Sequence, residues 1–168
     1  MLATIGDTVI RSLHLISAAI WAGGLVFLGL AVGVARRTIP DEARIEFFRA
    51  LGRRFALVGG LSLLVLIATG TDMASDRHVW GHLTDTSYGK TLLVKLILVG
   101  VVIVLTIVHS VLQGPALSRL RKIAADRPDD AELEAEIRRQ AVTGGIVSGL
   151  NLLATLAILV LAARLLTI

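Results

Sequence analysis

The sequence predicts an all-α integral membrane protein: an antiparallel four-helix bundle with both termini outside. The 168 residues are 55% hydrophobic, with a mean hydropathy of +0.79, whereas soluble domains are roughly 45–50% apolar. The hydrophobic residues are concentrated in four runs without a charged residue. These runs are Ser12–Ala35 (24 residues), Phe55–Thr71 (17), Leu96–Ser118 (23) and Gln140–Ala163 (24).

The lengths of these runs match the thickness of a membrane. A hydrocarbon core of about 30 Å needs roughly 20 residues at 1.5 Å each. We therefore predict a single transmembrane domain over residues 1–168, with spans at about 8–35, 55–73, 91–114 and 140–164. The first run is too long for a signal peptide and is expected to remain as a helix. This pattern excludes a soluble enzyme, and the absence of cysteine excludes a disulfide scaffold or a Cys-based metal centre.

The distribution of basic residues predicts the orientation. Twelve of the 17 lysines and arginines lie between spans one and two or between spans three and four. They are Arg36, Arg37, Arg44, Arg49, Arg53, Arg54, Arg119, Arg121, Lys122, Arg127, Arg138 and Arg139. By the positive-inside rule these two loops face the cytoplasm. We expect the net charge of +4 to serve contacts with anionic lipid rather than nucleic acid.

The segments between the runs carry helix signals of their own. Proline followed by acids at Pro40–Glu42 predicts a helix start, with Ala43–Arg54 continuing into span two. The longest outer segment is Asp72–Lys90, and Tyr88-Gly89 is expected to break the chain before span three. After Pro128, strong helix formers at Ala131–Gln140 predict a cytoplasmic extension of span four.

Small and polar residues predict the packed face of each span, because lipid offers no hydrophobic drive between helices. The predicted stripes are His14, Ser17, Trp21, Gly24 and Leu28; Gly59, Ser62, Thr69 and Met73; Lys95, Val102, Thr106 and His109; and Gly144, Ser148, Asn151 and Thr155. Glycines at 24 and 60 are expected to lie at close helix contacts. Substitution of either by leucine should then disrupt the bundle.

Ionisable residues within a span are functional candidates because their burial is costly. His14 lies in the outer part of span one and is a candidate ligand, although a hydrogen-bonded packing role stays open. Lys95 can extend its ammonium group towards the surface. His109 lies near the opposite end of span three, roughly 20 Å from His14 along the membrane normal, so the two should not share one ion.

A second group of candidate ligands lies at the outer end. His78 and His82 are four residues apart, which would put both imidazoles on one face if that segment were α-helical. Met73 ends span two nearby, and His14 lies at a similar depth. Because imidazole and thioether together suit copper, these four residues form a candidate copper site.

Three segments resemble the copper resistance protein D (CopD) family of membrane proteins. They are Leu13–Leu25 (LHLISAAIWAGGL), Arg53–Phe55 (RRF) with the later Ala68–Gly70 (ATG), and Thr86–Lys95 (TSYGKTLLVK). The resemblance implies a bacterial membrane protein that handles copper. His14 is the histidine that matches the family pattern.

The spacing of His14 and Trp21–Gly24 also resembles HemJ, the membrane protoporphyrinogen oxidase, as does a lysine followed by a histidine in the third span. That resemblance implies b-type haem carried by bundle histidines, with His14 and His109 as ligands. The room that haem requires could come from the paired glycines at 23–24 and 59–60.

Three functions stay open at this point. The first is copper handling, with copper as the cofactor and a periplasmic copper-binding protein as a partner. The second is haem b binding with electron transfer to a redox partner. The third is a structural subunit whose polar stripes serve packing, so homo- and hetero-oligomers both remain possible. No nucleophile–base pair or phosphate-binding loop is recognisable, so hydrolysis is not indicated, and whether the protein is an enzyme stays open.

The orientation can be tested with reporter fusions. A reporter active only in the periplasm should give signal when fused after Ile168 and none when fused within Arg119–Pro128. The physical reason is the concentration of basic residues in the two loops expected to be cytoplasmic. The reverse pattern would place His14 in the inner half of the membrane.

Overall fold

The structure is a computed structural model that describes residues 5–127 and 129–167. Within these ranges it contains helices and no strand. The helices are α1 (Ile5–Thr38), α2 (Asp41–Asp76), α3 (Ser87–Ile107), α4 (Gly114–Ala125) and α5 (Ala131–Arg164). The prediction of an all-α membrane protein is confirmed, because four helical stretches of 34 to 39 residues are long and apolar enough to cross a membrane. Pro128 and the terminal residues 1–4 and 168 lie outside the described residues.

The helices form two compact units, the first over Met1–Asp85 and the second over Thr86–Ile168. In the first unit α1 and α2 are antiparallel, because His14 contacts Thr69 whereas Trp21, further along α1, contacts Phe55, earlier in α2. In the second unit α3 and α5 are antiparallel as well, packing together along their lengths. The single domain over residues 1–168 stays a prediction.

The first unit is a hairpin with a very short connection. α1 ends at Thr38 and α2 begins at Asp41, so only Ile39 and Pro40 join them. Arg36 and Arg37 lie in the last turn of α1, where positive charge complements the helix dipole. The expected helical continuation of Ala43–Arg54 into span two is confirmed.

In the second unit, side-chain caps fix both long helices. Thr86 caps α3, its hydroxyl oxygen accepting from the Gly89 amide at 2.9 Å, and Asp130 caps α5, accepting from the Leu133 amide at 3.0 Å. The expected break at Tyr88-Gly89 is wrong, since both residues lie in the first turn of α3. The expected extension of span four over 131–140 is confirmed as part of α5.

The third span is not uniformly α-helical. A π-helical segment, Val108–Gln113, joins α3 to α4 without interruption, and Pro115 follows in the first turn of α4. Proline donates no backbone hydrogen bond, and its ring clashes with the carbonyl four residues earlier in a regular α-helix. Widening the preceding turn into a π-helix accommodates this defect. The segment contains His109.

One aromatic ring fills the tightest contact of the first unit. Phe55 of α2 packs on Trp21 of α1, with ring centroids 5.9 Å apart. A Cβ on Gly24 would clash with Cε2 of this ring, and one on Gly59 would lie 3.0 Å from its Cζ. The close approach expected at Gly24 is therefore confirmed. That expected at Gly60 is wrong, because nothing lies within 4 Å of its Cβ position.

The predicted stripes agree with burial at most positions. Those of α1 and α2 are buried or half-buried, whereas His109 and Ser148 of the second unit are exposed. Buried hydroxyls bond within their own helix; Ser62, for example, donates to the Val58 carbonyl at 2.9 Å. Large apolar side chains on the outer faces, such as Leu57, are exposed and available to lipid.

The contact of Phe55 with Gly24 makes a matched pair of substitutions informative. Gly24→Ala should lower the stability of the purified protein by about 1–3 kcal/mol through overpacking, whereas Gly23→Ala, with nothing within 4 Å, should not. Thermal denaturation in detergent measures both. Adding Phe55→Leu should restore much of the loss at Gly24. Equal melting of the two single variants would contradict the contact.

Candidate metal site

The ring of His14 is held against α2 by a hydrogen bond to Thr69. The two atoms, Nδ1 and Oγ1, lie 2.8 Å apart. The Thr69 hydroxyl donates its own hydrogen to the Val65 carbonyl at 2.6 Å, so towards His14 it acts as the acceptor. Nδ1 therefore carries the hydrogen, and the lone pair of the neutral ring lies on Nε2, the nitrogen able to bind a metal.

The residue after Thr69 is a glycine for a steric reason. A Cβ at Gly70 would lie 3.3 Å from Cε1 of His14, closer than most side-chain contacts allow. The pair Thr69-Gly70 thus orients the imidazole and leaves space for it. Sequence analysis placed Thr69 on a packing stripe and did not recognise it as the partner of His14. The signal in the sequence was a threonine followed by a glycine in the span that packs against the span containing His14.

Met73 extends this arrangement by one turn. It lies four residues after Thr69 on α2, hence on the same helix face, and its side chain is half-buried. A thioether at this position and the imidazole of His14 therefore belong to the same end of the first unit. His14 and Met73 are the intramembrane part of the candidate copper site.

His78 and His82 do not lie on one face of an α-helix, because this segment is not α-helical. His78 adopts a left-handed conformation with φ of 53° and precedes the 3₁₀ turn Val79–Gly81. Its Nδ1 lies 3.0 Å from the Asp76 carbonyl, and Nδ1 of His82 lies 3.3 Å from a carboxylate oxygen of Asp85. Both imidazoles are exposed. Across the described ranges no three His, Cys, Asp or Glu side chains converge as a metal-binding group.

His109 belongs to the second unit and is held differently. It lies in the π-helical segment, with Nδ1 3.2 Å from Oε1 of Gln113. Its Cε1 is 3.9 Å from where a Cβ on Gly144 of α5 would lie. The sequence pattern also does not identify Gln113 as the partner of His109. The two residues are four apart, and their side chains meet because of the local helix geometry.

All four histidines share one feature. Each places Nδ1 within hydrogen-bond distance of an oxygen: a hydroxyl, a main-chain carbonyl, a carboxylate or a side-chain amide. For His14 the direction of the bond is fixed by the partner's own donation, and carbonyl and carboxylate oxygens can only accept. Metal-binding histidines are commonly oriented in this way, with the other nitrogen directed to the metal.

The paired glycines that were expected to admit haem differ in the space beside them. In the first unit the ring of Phe55 lies against both Gly24 and Gly59. Gly23 and Gly60 have no neighbouring atom within 4 Å of the Cβ position, and Gly23 is exposed. The ring of Phe55 therefore occupies the space beside two of the four glycines, Gly24 and Gly59.

The segment Thr86–Lys95 has a structural explanation. Thr86 caps α3, and Gly89, Thr91 and Leu92 are buried in its first turns. The Thr91 hydroxyl donates to the Ser87 carbonyl at 2.9 Å. The pattern therefore begins a helix and packs its first turn, and the half-buried Lys95 follows one turn later.

These features define a multi-pass membrane protein in which each of the four imidazoles is oriented by a hydrogen bond. A sequence profile of the family "Copper resistance protein D" (CopD) matches residues 49–165, well over half of the chain. The chain therefore belongs to the CopD family and is a multi-pass protein of the bacterial inner membrane. An uncharacterized protein of Aquifex aeolicus (strain VF5) is 32% identical over 103 residues, covering 61% of this chain and 66% of that protein. No solved structure matches the chain significantly.

The matched range and the histidine candidates overlap only in part. The range begins at Arg49, so it includes α3, α5 and most of α2 but not α1 with His14. His14 nevertheless contacts Thr69 and Gly70, which lie inside the range. The segment resembling the family in α1 thus packs on the two segments resembling it in α2.

The orienting role of Thr69 can be tested directly. Thr69→Val keeps the shape of the side chain but removes the acceptor for His14 Nδ1, so a metal bound at Nε2 should bind about 10–100-fold more weakly. Thr69→Ser keeps the hydroxyl and should bind like the parent. Competition titration with a Cu(I) chelator measures both. Equal affinities would show that the hydrogen bond serves packing alone.

Proposed function

We propose that this CopD family member handles copper through a site in the first unit, in the outer half of the membrane, with His14 Nε2 as its central ligand. The observation that supports this most is the hydrogen bond from His14 Nδ1 to Thr69, since it fixes the tautomer with the lone pair on Nε2. An imidazole oriented by such a bond is the usual histidine ligand of metal sites.

Met73 is the second proposed ligand. It lies one turn from Thr69 on the same face of α2, so its thioether belongs to the same end of the unit as His14. Thioether sulfur is a soft ligand that favours Cu(I), whereas carboxylate and carbonyl oxygens favour magnesium, calcium or manganese. The nitrogen and sulfur pair therefore supports copper over the common hard cations.

His78 and His82 do not converge with His14 as a metal-binding group in the described residues, and they are proposed as a separate copper-binding point on the segment that follows α2. Both belong to the first unit, and their Nδ1 atoms lie near the Asp76 carbonyl and the Asp85 carboxylate. Because they are exposed, they are the proposed point of exchange with solvent or with a periplasmic copper-binding protein. Their neighbour Trp80 donates to the Ser75 hydroxyl at 3.0 Å, which fastens this segment to the end of α2.

The ligands His14 and Met73 are both neutral, and this favours one oxidation state of copper. His14 and Met73 offer no negative charge, and a charged group within the membrane is costly. A monovalent ion requires less compensation than a divalent one in such surroundings. Cu(I) is accordingly the proposed form at the intramembrane ligands.

Haem b ligation by His14 and His109 is the second candidate. The observation that favours it is that His109, like His14, holds Nδ1 near a side-chain oxygen and lies beside a glycine of the neighbouring helix. The position of Phe55 against Gly24 and Gly59 weighs against it. Copper is therefore the proposed cofactor, and haem is an outcome that the following experiment detects.

The decisive variant is His14→Ala, measured for copper stoichiometry and visible absorption. Alanine preserves the helix, so the protein should fold while losing its central ligand. We expect copper binding to fall sharply, Met73→Leu to weaken it, and His78→Ala or His82→Ala to lower it as well. His109→Ala, in the other unit, is the matched control and should bind copper as the parent does.

Other outcomes of this experiment have distinct meanings. A Soret band with sharp α and β bands on reduction, lost in His14→Ala or His109→Ala, would favour the haem candidate. Unchanged copper content and an unchanged spectrum in His14→Ala would leave His14 as a packing residue. The function as a structural subunit would then be preferred.

A further inference from the structure

A polar pair lies at the membrane midplane of the second unit, away from the proposed copper ligands. Asn151 is the twelfth residue of the 24-residue run Gln140–Ala163, and Thr106 is the eleventh residue of the 23-residue run Leu96–Ser118. Their side chains meet across α3 and α5, with Asn151 Nδ2 3.2 Å from Thr106 Oγ1. Asn151 is only 7% exposed. The pair is therefore both central in the membrane and buried.

The hydrogen bonds of Thr106 fix the orientation of the amide. Its hydroxyl donates to the Val102 carbonyl at 2.7 Å, so the hydroxyl oxygen can act only as an acceptor towards Asn151. The group it faces must then be the donor, Nδ2. The carbonyl oxygen Oδ1 points elsewhere. It is fully buried, and no donor among the described residues reaches it.

A buried carbonyl oxygen without a donor is costly, and each instance in a native protein requires an explanation. The hydroxyl three residues earlier on the same helix does not serve, because Ser148 donates to the Gly144 carbonyl at 2.9 Å. A leucine at position 151 would avoid the cost altogether. The retention of a carboxamide at this depth therefore points to a ligand that donates a hydrogen bond.

We propose that Asn151 Oδ1 binds a water molecule held between α3 and α5 at the centre of the membrane. The atoms offered are neutral acceptors: Oδ1 itself and the remaining lone pair of Thr106 Oγ1. A bound water needs two to four polar partners, and these two acceptors use both of its hydrogens. No carboxylate accompanies them among the described residues of this contact, so the site is matched to a neutral donor rather than a cation.

The position of this water gives it a role along the helix pair. His109, in the π-helical segment that continues α3, follows Thr106 by three residues, and Gly144, beside the His109 ring, precedes Asn151 by seven residues on α5. Polar groups therefore recur along the same contact from the midplane towards the end of the unit. Water at Asn151 would add a hydrogen-bonding group at the middle of this contact.

Water-edited NMR on the whole protein in lipid nanodiscs tests the proposal. With methyl-labelled threonine and valine, magnetisation should transfer from water to the Thr106 methyl group but not to Val104, an exposed residue at the same depth. In Asn151→Leu the Thr106 signal should fall to the level of Val104. Equal, background transfer to both methyl groups in the parent protein would overturn the proposal.

Thermal melting of the double variant Thr106→Val/Asn151→Leu provides a second test. If water satisfies Oδ1, the double variant loses bonds that were made and should melt lower, by about 2–4 °C per kcal/mol lost. If Oδ1 is unsatisfied, the apolar pair should melt higher, which would contradict the proposal. The melting temperature of the parent protein could instead depend on which cation is added, with this dependence lost in Asn151→Leu. That result would show that the ligand of Oδ1 is the cation rather than water. Both experiments are done without copper, so their failure leaves the proposed copper site unaffected.

Discussion

Hydrocarbon offers no hydrogen-bond partner, and this constraint decides where the chemistry of the protein lies. The backbone satisfies itself in helices. The buried hydroxyls of Ser62, Thr91 and Thr106 donate to carbonyls of their own helices and so have no hydrogen left for a neighbour. The imidazole of His14 instead bonds across to α2, and the amide of Asn151 bonds across to α3. That is why His14 and Asn151 matter more than the polar stripes that surround them.

In the first unit, the contacts that pack α1 against α2 also orient the imidazole ring of His14. Thr69 acts as acceptor for His14 only because its hydrogen is already bonded to Val65, and Gly70 admits the ring only because it has no Cβ. Fourteen residues before Thr69 in α2, Phe55 fixes the spacing of the two helices against Gly24. A change in the rotation of α1 would therefore move the imidazole as well as the contact.

The number, type and extent of the helices could be predicted from the sequence because run length and charge are direct consequences of the membrane. Contacts within the site could not, since they depend on helix rotation. One residue turns a helix by about 100°, which separates Gly59, packed against Phe55, from Gly60, which has open space. The partner of His14 lies 55 residues away in the chain. The spacing of His78 and His82 suggested one helix face, but a left-handed residue and a 3₁₀ turn intervene.

The π-helical segment before Pro115 has a consequence for how this chain can vary. A π turn is an α-helix that has absorbed one more residue than its hydrogen bonds require. Everything beyond it is consequently rotated relative to α3, including the basic side chains of α4. Loss of one residue within Val108–Gln113 would return the helix to regular α geometry and rotate α4 relative to α3. In this part of the chain a shortening by one residue would thus be more disruptive than most substitutions.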